Sequence, residues 1–250
     1  MSPIETTAII FACVFGSAML GMWLRGVLPE HHLSPETKDV VKLGVGLIGT
    51  MAALLLGLLV ASAKGSYDSR GSELTQMAAN VILLDRVLAH YGPETAQIRR
   101  MLKTAVAQII AQAWPASGKR EGGLDAQTNR EVLFDRLQEL APRSDAQRAL
   151  QSQAESIAMS VGQQRWLLFA QGGSSISTPF LLVVVFWLSV LFVSFGLFAP
   201  RNATALVTLL VSALSVAGAL YLILELDHPF SGLIQVSSAP LRNALAVLGR

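Results

Sequence analysis

Hydrophobic and polar positions along the 250-residue chain separate into long blocks, not short alternations. Four apolar runs, Ile4–Leu24, Leu43–Ala63, Pro179–Ala199 and Ala203–Leu224, bracket one long polar stretch from Lys64 to Thr178. Each run is about 20 residues, and a helix of that length rises about 30 Å, the thickness of a bilayer's hydrocarbon core. No Asp, Glu, Lys or Arg lies in the central part of any run. Lipid offers no partner to an unpaired backbone amide, so such runs cross as helices. The pattern predicts an all-α integral membrane protein with four transmembrane helices and a helical insert between the second and third.

The insert reads as helical throughout. Leu74, Met77, Val81, Leu84 and Leu88 stand at helical spacing, so Ser66–His90 continues the second span beyond the bilayer. Gly92-Pro93 breaks that helix. A second helix fits Glu94–Trp114, with Ile98, Met101, Leu102, Val106, Ile109 and Ile110 on one face. A third carries Val132, Leu133, Leu137 and Leu140, with Asp125 as its N-cap. A fourth restarts at Ser144 or Asp145 and runs to about Phe169. Gly172-Gly173 hinges into Pro179, which suits the first turn of the third span. Pro240 starts a short amphipathic helix with Leu241, Leu245 and Leu248 on one face, lying on the membrane or under the insert. These amphipathic faces must be buried against one another or against another subunit, which favours a symmetric oligomer. The chain thus divides into 1–63 (spans one and two), 64–178 (insert), 179–226 (spans three and four) and 227–250 (C-terminal amphipathic segment).

Composition narrows the function classes. Charged residues make up 14% of the chain and the mean hydropathy is +0.50. A formal net charge of +2 gives no reason to expect a nucleic-acid partner. The single cysteine, Cys13, lies in the first span and has no intramolecular disulfide partner. With four spans, the termini and the insert share one side. Arg25, Lys38, Lys42 and Arg201 fall on the short-loop side, against Lys64, Arg70, Arg165, Arg242 and Arg250 on the other. That count leans toward a multi-pass protein of the plasma (inner) membrane with both termini and the insert cytoplasmic.

Enzyme constellations are missing. His31, His32, His90 and His228 make no metal-ligand spacing, no Gly-rich phosphate loop or nucleophile elbow is present, and no cofactor motif occurs. Catalysis, a metal and a cofactor are therefore not expected. Arg99, Arg100 and Lys103 read as a solvated face, against an anion vestibule or a lipid-headgroup contact. Lys119-Arg120 is a loop pair. The patterned membrane segment is the second span, where Gly49, Ala53, Gly57, Ala61 and Gly65 recur every four residues near Gly46. Small residues let helices approach closely in lipid, so tight packing against another span is one reading. The other is that Gly49, Ala53, Gly57 and Ala61 line an axial pore. If instead the bulky stripe Met51, Leu55 and Leu59, with Leu47, faces the axis, it forms a hydrophobic constriction.

Two motifs follow the even-numbered spans: Ser66-Tyr67-Asp68-Ser69-Arg70 after the second, and Glu225-Leu226-Asp227-His228-Pro229-Phe230-Ser231-Gly232 after the fourth. Together they resemble the bestrophin family, and are most similar to the bacterial bestrophin-like membrane proteins grouped as a domain of unknown function. There a run of the form LD-x-PF-x-G followed by VS…PL is typical, here Leu226 through Leu241. The resemblance marks Ser66, Tyr67, Asp68, Arg70, Glu225, Asp227, Pro229 and Phe230 as motif positions. It implies a homo-oligomer, a pentamer, in the bacterial inner membrane, with an anion (chloride or an organic anion) passing along a pore lined by the second span. Two departures stand out. Neck positions carried back from Ser66 land on Ala53, Gly57 and Ala61, where the family has bulky apolar residues. The acidic cluster after the Pro-Phe-Gly segment is replaced by Leu233–Ser238, leaving Glu225 and Asp227, so calcium gating is not expected. Those two carboxylates either end the fourth span, paired with Arg242 or a helix terminus, or contribute to permeation. The competing function is a non-conducting scaffold, regulator or stator-like energy-coupling component. A stator needs a carboxylate at mid-membrane, and none lies in these spans.

Overall fold

The computed structural model describes residues 2–29, 34–114, 133–170, 178–230 and 232–249. Among them every regular element is helical and none is a strand. The order is α1 (Pro3–Val27), α2 (Pro35–Tyr91), a 3-10 turn (Pro93–Thr95), α3 (Ala96–Ala113), a short helical segment over 133–138, α4 (Asp145–Ala170), α5 (Thr178–Phe198), α6 (Ala203–Leu226) and α7 (Ala239–Val247). Four of these, α1, α2, α5 and α6, are long and apolar enough to cross a bilayer. The chain forms two compact units, Met1–Ser66 with Ser174–Asp227 and Tyr67–Gly173 with His228–Arg250. Asp125, Val132, Lys119-Arg120, His31-His32 and Gly172-Gly173 lie outside the described residues.

Local chemistry sets the helix starts. At α1, Ser2 Oγ accepts from Glu5 N (3.2 Å) while Glu5 Oε2 accepts from Ser2 N (2.9 Å), a reciprocal capping box with Pro3 in the first turn. Asn202 Oδ1 caps α6 by accepting from Ala205 N at 2.8 Å. Ser144 Oγ accepts from Gln147 N at 3.1 Å ahead of α4. Beyond α2, Gly92 holds φ +140°, where a side chain is strained, and the helix ends there.

In the first unit α1 packs mainly on α5 and then on α6. Its core joins Ile10, Val14 and Ala18 to Val184, Leu188, Phe192, Ala213 and Leu220. The α1–α5 crossing is backbone against backbone. A Cβ on Gly21 would run into Val193 O and lie 2.9 Å from Leu197 N, and a Cβ on Gly196 would run into Ala18 O and lie 3.0 Å from Met22 N. Only glycine fits both positions, the small-residue contact that close helix packing in lipid requires. Large side chains such as Leu182, Phe186 and Leu214 point outward and stay exposed, as suits surfaces that meet acyl chains.

Where α1 and α5 end, two arginines reach across. Arg25 Nη1 donates to Ala199 O, and Arg201 Nη2 donates to Met22 O at 3.1 Å. Arg25 thus satisfies a carbonyl left open just past the end of α5, Arg201 adds a second donor to a carbonyl near the end of α1, and both guanidiniums meet the negative end of a helix dipole. Lys38 Nζ sits 5.8 Å from the centroid of the Phe198 ring.

The second unit buries the expected faces of α2 and α3. Leu74, Met77, Val81, Leu84 and Leu88 meet Ile98, Leu102, Val106 and Ile109, with Leu137 and Ala154 from the 133–138 segment and α4. Leu140 follows that segment as non-helical chain, packed partly buried against the same core. Leu241, Ala244 and Leu248 from the α7 region complete the core, and this helix lies against α3. Thr95 is fully buried, its hydroxyl within reach of Leu88 O (2.6 Å) and Gly92 O (2.8 Å), which fixes the turn between α2 and α3.

The face of Arg99, Arg100 and Lys103 differs from a uniformly solvated one. Asp85, 3% exposed, receives Arg99 Nε at 2.7 Å and Nη2 at 2.9 Å, a bidentate pair, and also Gly249 N at 3.3 Å. Lys103 Nζ donates to Leu248 O at 3.2 Å. Arg99 is half-buried, while Arg100 and Lys103 are exposed. Periodicity placed these side chains on the flank of α3; what it lacked was the opposing flank of α2.

Candidate functional site

The bilayer stretch of α2 has one packed face. Ala52, Leu59 and Ala63 are buried, and Val45, Ile48, Leu55 and Leu56 pack beside them in the first unit's core. Of the bulky stripe, Leu59 (5% exposed) and Leu55 therefore belong to this inner face, while Met51 (45%) and Leu47 (64%) are exposed. Of the small stripe, Ala53, Gly57 and Ala61 are exposed and Gly49 is half-buried. A Cβ on Gly49 would touch Leu191 at 3.8 Å, whereas one on Gly46, Gly57 or Gly65 would meet open space. The difference follows from helix geometry. At 3.6 residues per turn each four-residue step advances about 40° around the axis, so the stripe winds from the edge of the packed face at Gly49 to the free face at Gly57 and Ala61. Among the described residues, then, its outer half packs against no other span.

The parts of the two motif segments that belong to the second unit, from Tyr67 and from His228 onward, converge there. Tyr67, one residue past the unit boundary on α2, donates its hydroxyl to Gln235 O at 3.1 Å, and a Cβ on Gly71 would lie 3.9 Å from Val236 Cγ1. The loop after His228 is closed on itself. Val236 N donates to Pro229 O at 2.8 Å, Gln235 Nε2 donates to Gly232 O at 2.9 Å, and Gly232 holds φ +90°. Trp114 then locks it to the end of α3. Its Nε1 donates to Val236 O at 2.9 Å, and its ring meets Phe230 edge-on with centroids 5.6 Å apart. The Pro-Phe-x-Gly segment is thus a staple joining the root of α2's extension to α3. Trp114 was visible in the sequence only as a helix end, because nothing local indicates a partner so far along the chain.

Ser66 is half-buried, Asp68 exposed and Arg70 buried at 7% exposure. Glu225 (2%) and Asp227 (5%) are buried at the end of α6, and Arg242 is exposed. Charges so placed persist only where their polar atoms are satisfied, and Arg70, Glu225 and Asp227 each have an interaction partner. Among the described residues no group of three or more His, Cys, Asp or Glu side chains is arranged to hold a metal ion.

Comparison with known proteins agrees with the motifs. The family model described as the Bestrophin-like domain matches residues 12–241, which takes in most of the first span, all of the other three and both motif segments. No curated protein and no solved structure matches the chain. With that match over most of its length, the chain belongs to the bestrophin-like family of membrane proteins.

Proposed function

We propose that the chain forms a symmetric homo-oligomer, a pentamer by family resemblance, with the α2 helices around a shared axis and a path for chloride or an organic anion along it. The observation that carries this reading is the unpacked small-residue flank of α2. Ala53, Gly57 and Ala61 are exposed although they sit in a helix whose opposite face, Ala52, Leu59 and Ala63, is fully engaged. A helix with one face committed to its own chain has the other available to an axis, and small side chains there leave room for an ion. Gly49 stands at the margin of that face, and of the bulky stripe only Met51 and Leu47 are free to approach the axis. The staple from Tyr67 through Gln235 to Trp114 would hold α2 rigid just where the path leaves the bilayer. The charge count supports an inner-membrane protein with the second unit and both termini in the cytoplasm.

Purified protein in liposomes is expected to release trapped chloride, or a small organic anion, faster than empty vesicles. Release no faster than from empty vesicles would instead support a non-conducting scaffold.

A further inference from the structure

The ends of three spans gather positive charge that no carboxylate among the described residues pairs with. Arg25 from the last turn of α1, Lys38 from the first turns of α2 and Arg201 from the α5–α6 turn all converge on the four residues Phe198–Arg201. Arg25 holds Ala199 O, Lys38 lies over Phe198, and Arg201 folds back onto Met22 O. All three belong to the same compact unit. Among the described residues none has a carboxylate within ion-pair distance; the nearby Asp39 pairs with Lys42 instead, at 3.2 Å. Each guanidinium spends one nitrogen on a carbonyl and keeps further donors. Three like charges held together are mutually repulsive, and the arrangement becomes favourable when an anion sits among them.

The surroundings say what kind of anion. The three cations stand at the ends of apolar spans, and the exposed Trp23 (61%) and Val27 (60%), on a different face of α1 from Arg25, carry the lipid-facing border of that span to the same level. A free inorganic ion has no use for that border, whereas an amphiphile does, with its acidic head on the cations and its chains along the helix. Indole rings at this depth favour the interface for the same reason.

We infer that Arg25, Lys38 and Arg201 form a binding site for the phosphate of an anionic phospholipid, on the bilayer face that carries the α1–α2 and α5–α6 connections. The site is independent of conduction. It rests on the convergence of the three cations and not on the free face of α2.

The test uses the full-length protein in detergent, titrated with dioleoyl phosphatidylglycerol, dioleoyl phosphatidylcholine or inorganic phosphate, with lipid binding followed by native mass spectrometry. Phosphatidylglycerol is expected to bind in preference to phosphatidylcholine. Lys38→Gln and Arg201→Gln should each weaken that preference by roughly fivefold, the effect of one interfacial cation. Among the described residues Lys38 donates no hydrogen bond to backbone, so its variant tests the charge without disturbing a helix end. Arg148→Gln, on exposed α4, should leave binding unchanged. Equal binding of the two lipids, or an unaltered preference in both variants, would overturn the inference. Displacement of the lipid by millimolar inorganic phosphate would also overturn it, reducing the site to one for free ions.

Discussion

Replacing Gly196 with alanine is expected to destabilise the membrane unit by about 3 kcal/mol, the upper end of what overpacking costs. The sign is the informative part. Alanine in place of glycine within a helix ordinarily stabilises by up to about 1 kcal/mol, because it removes backbone freedom from the unfolded chain. Gly16→Ala and Gly218→Ala should follow that rule, since a Cβ at either meets nothing within 4 Å. At Gly196 the added carbon runs into Ala18 O and comes within 3.0 Å of Met22 N, so α1 and α5 must separate. Backbone atoms do not yield as the tip of a side chain would. Gly21→Ala, pressing on Val193 O and Leu197 N, should behave the same way. Thermal unfolding of the four variants in detergent checks this, and equal effects at all four positions would mean that the helices do not cross at Gly21 and Gly196.

Asp85→Asn should cost on the order of 2 kcal/mol at neutral pH, less than the loss of a fully buried ion pair because Arg99 keeps 19% of its side chain exposed. The variant leaves a guanidinium facing a neutral amide and weakens the acceptor for Gly249 N. In the wild type, burial pushes the Asp85 carboxyl upward. The Arg99 hydrogen bond and charge, with the Gly249 N–H, outweigh that push and hold it below the ordinary aspartate value of 3.8. A carboxyl depressed in the folded state stabilises fully above its unfolded pKa, and that contribution is lost as pH falls through the folded value. The gap between wild type and variant should therefore be full at pH 7 and close in acid, below about pH 4. Melting curves in detergent across that range measure it directly. A gap independent of pH would assign the loss to packing instead of charge.

Much of the fold was legible because its signals are local. Block hydropathy marked the four spans, and the 3.6-residue spacing of Leu74 through Leu88 carried α2 past the bilayer as one helix, about 85 Å long at 1.5 Å per residue. Pro240 and Leu241 announced the last helix. What stayed hidden depends on partners distant in sequence. Gly21 and Gly196 look like any glycines in apolar runs until α1 and α5 are laid together. Asp85 and Arg99 sit on opposite arms of a helical hairpin, so Arg99 read as one member of a solvated basic face. The four-residue stripe on α2 was visible, but its drift around the helix decides which members face the core, and only the packed position of Leu59 reveals that. Tyr67 and the segment after Pro229 were each singled out by resemblance; the hydrogen bond to Gln235 gives their pairing a physical reason.

The claim on which the functional reading turns is that the free face of α2 lines a conducting path. In a Cys13→Ala background, Gly57→Cys and Leu59→Cys proteins are reconstituted separately, and chloride flux is measured before and after a water-soluble methanethiosulfonate reagent. The reading predicts that modification blocks most of the flux through Gly57→Cys and leaves Leu59→Cys unchanged. Block confined to Leu59→Cys, or no chloride flux through either protein or the parent, would contradict it.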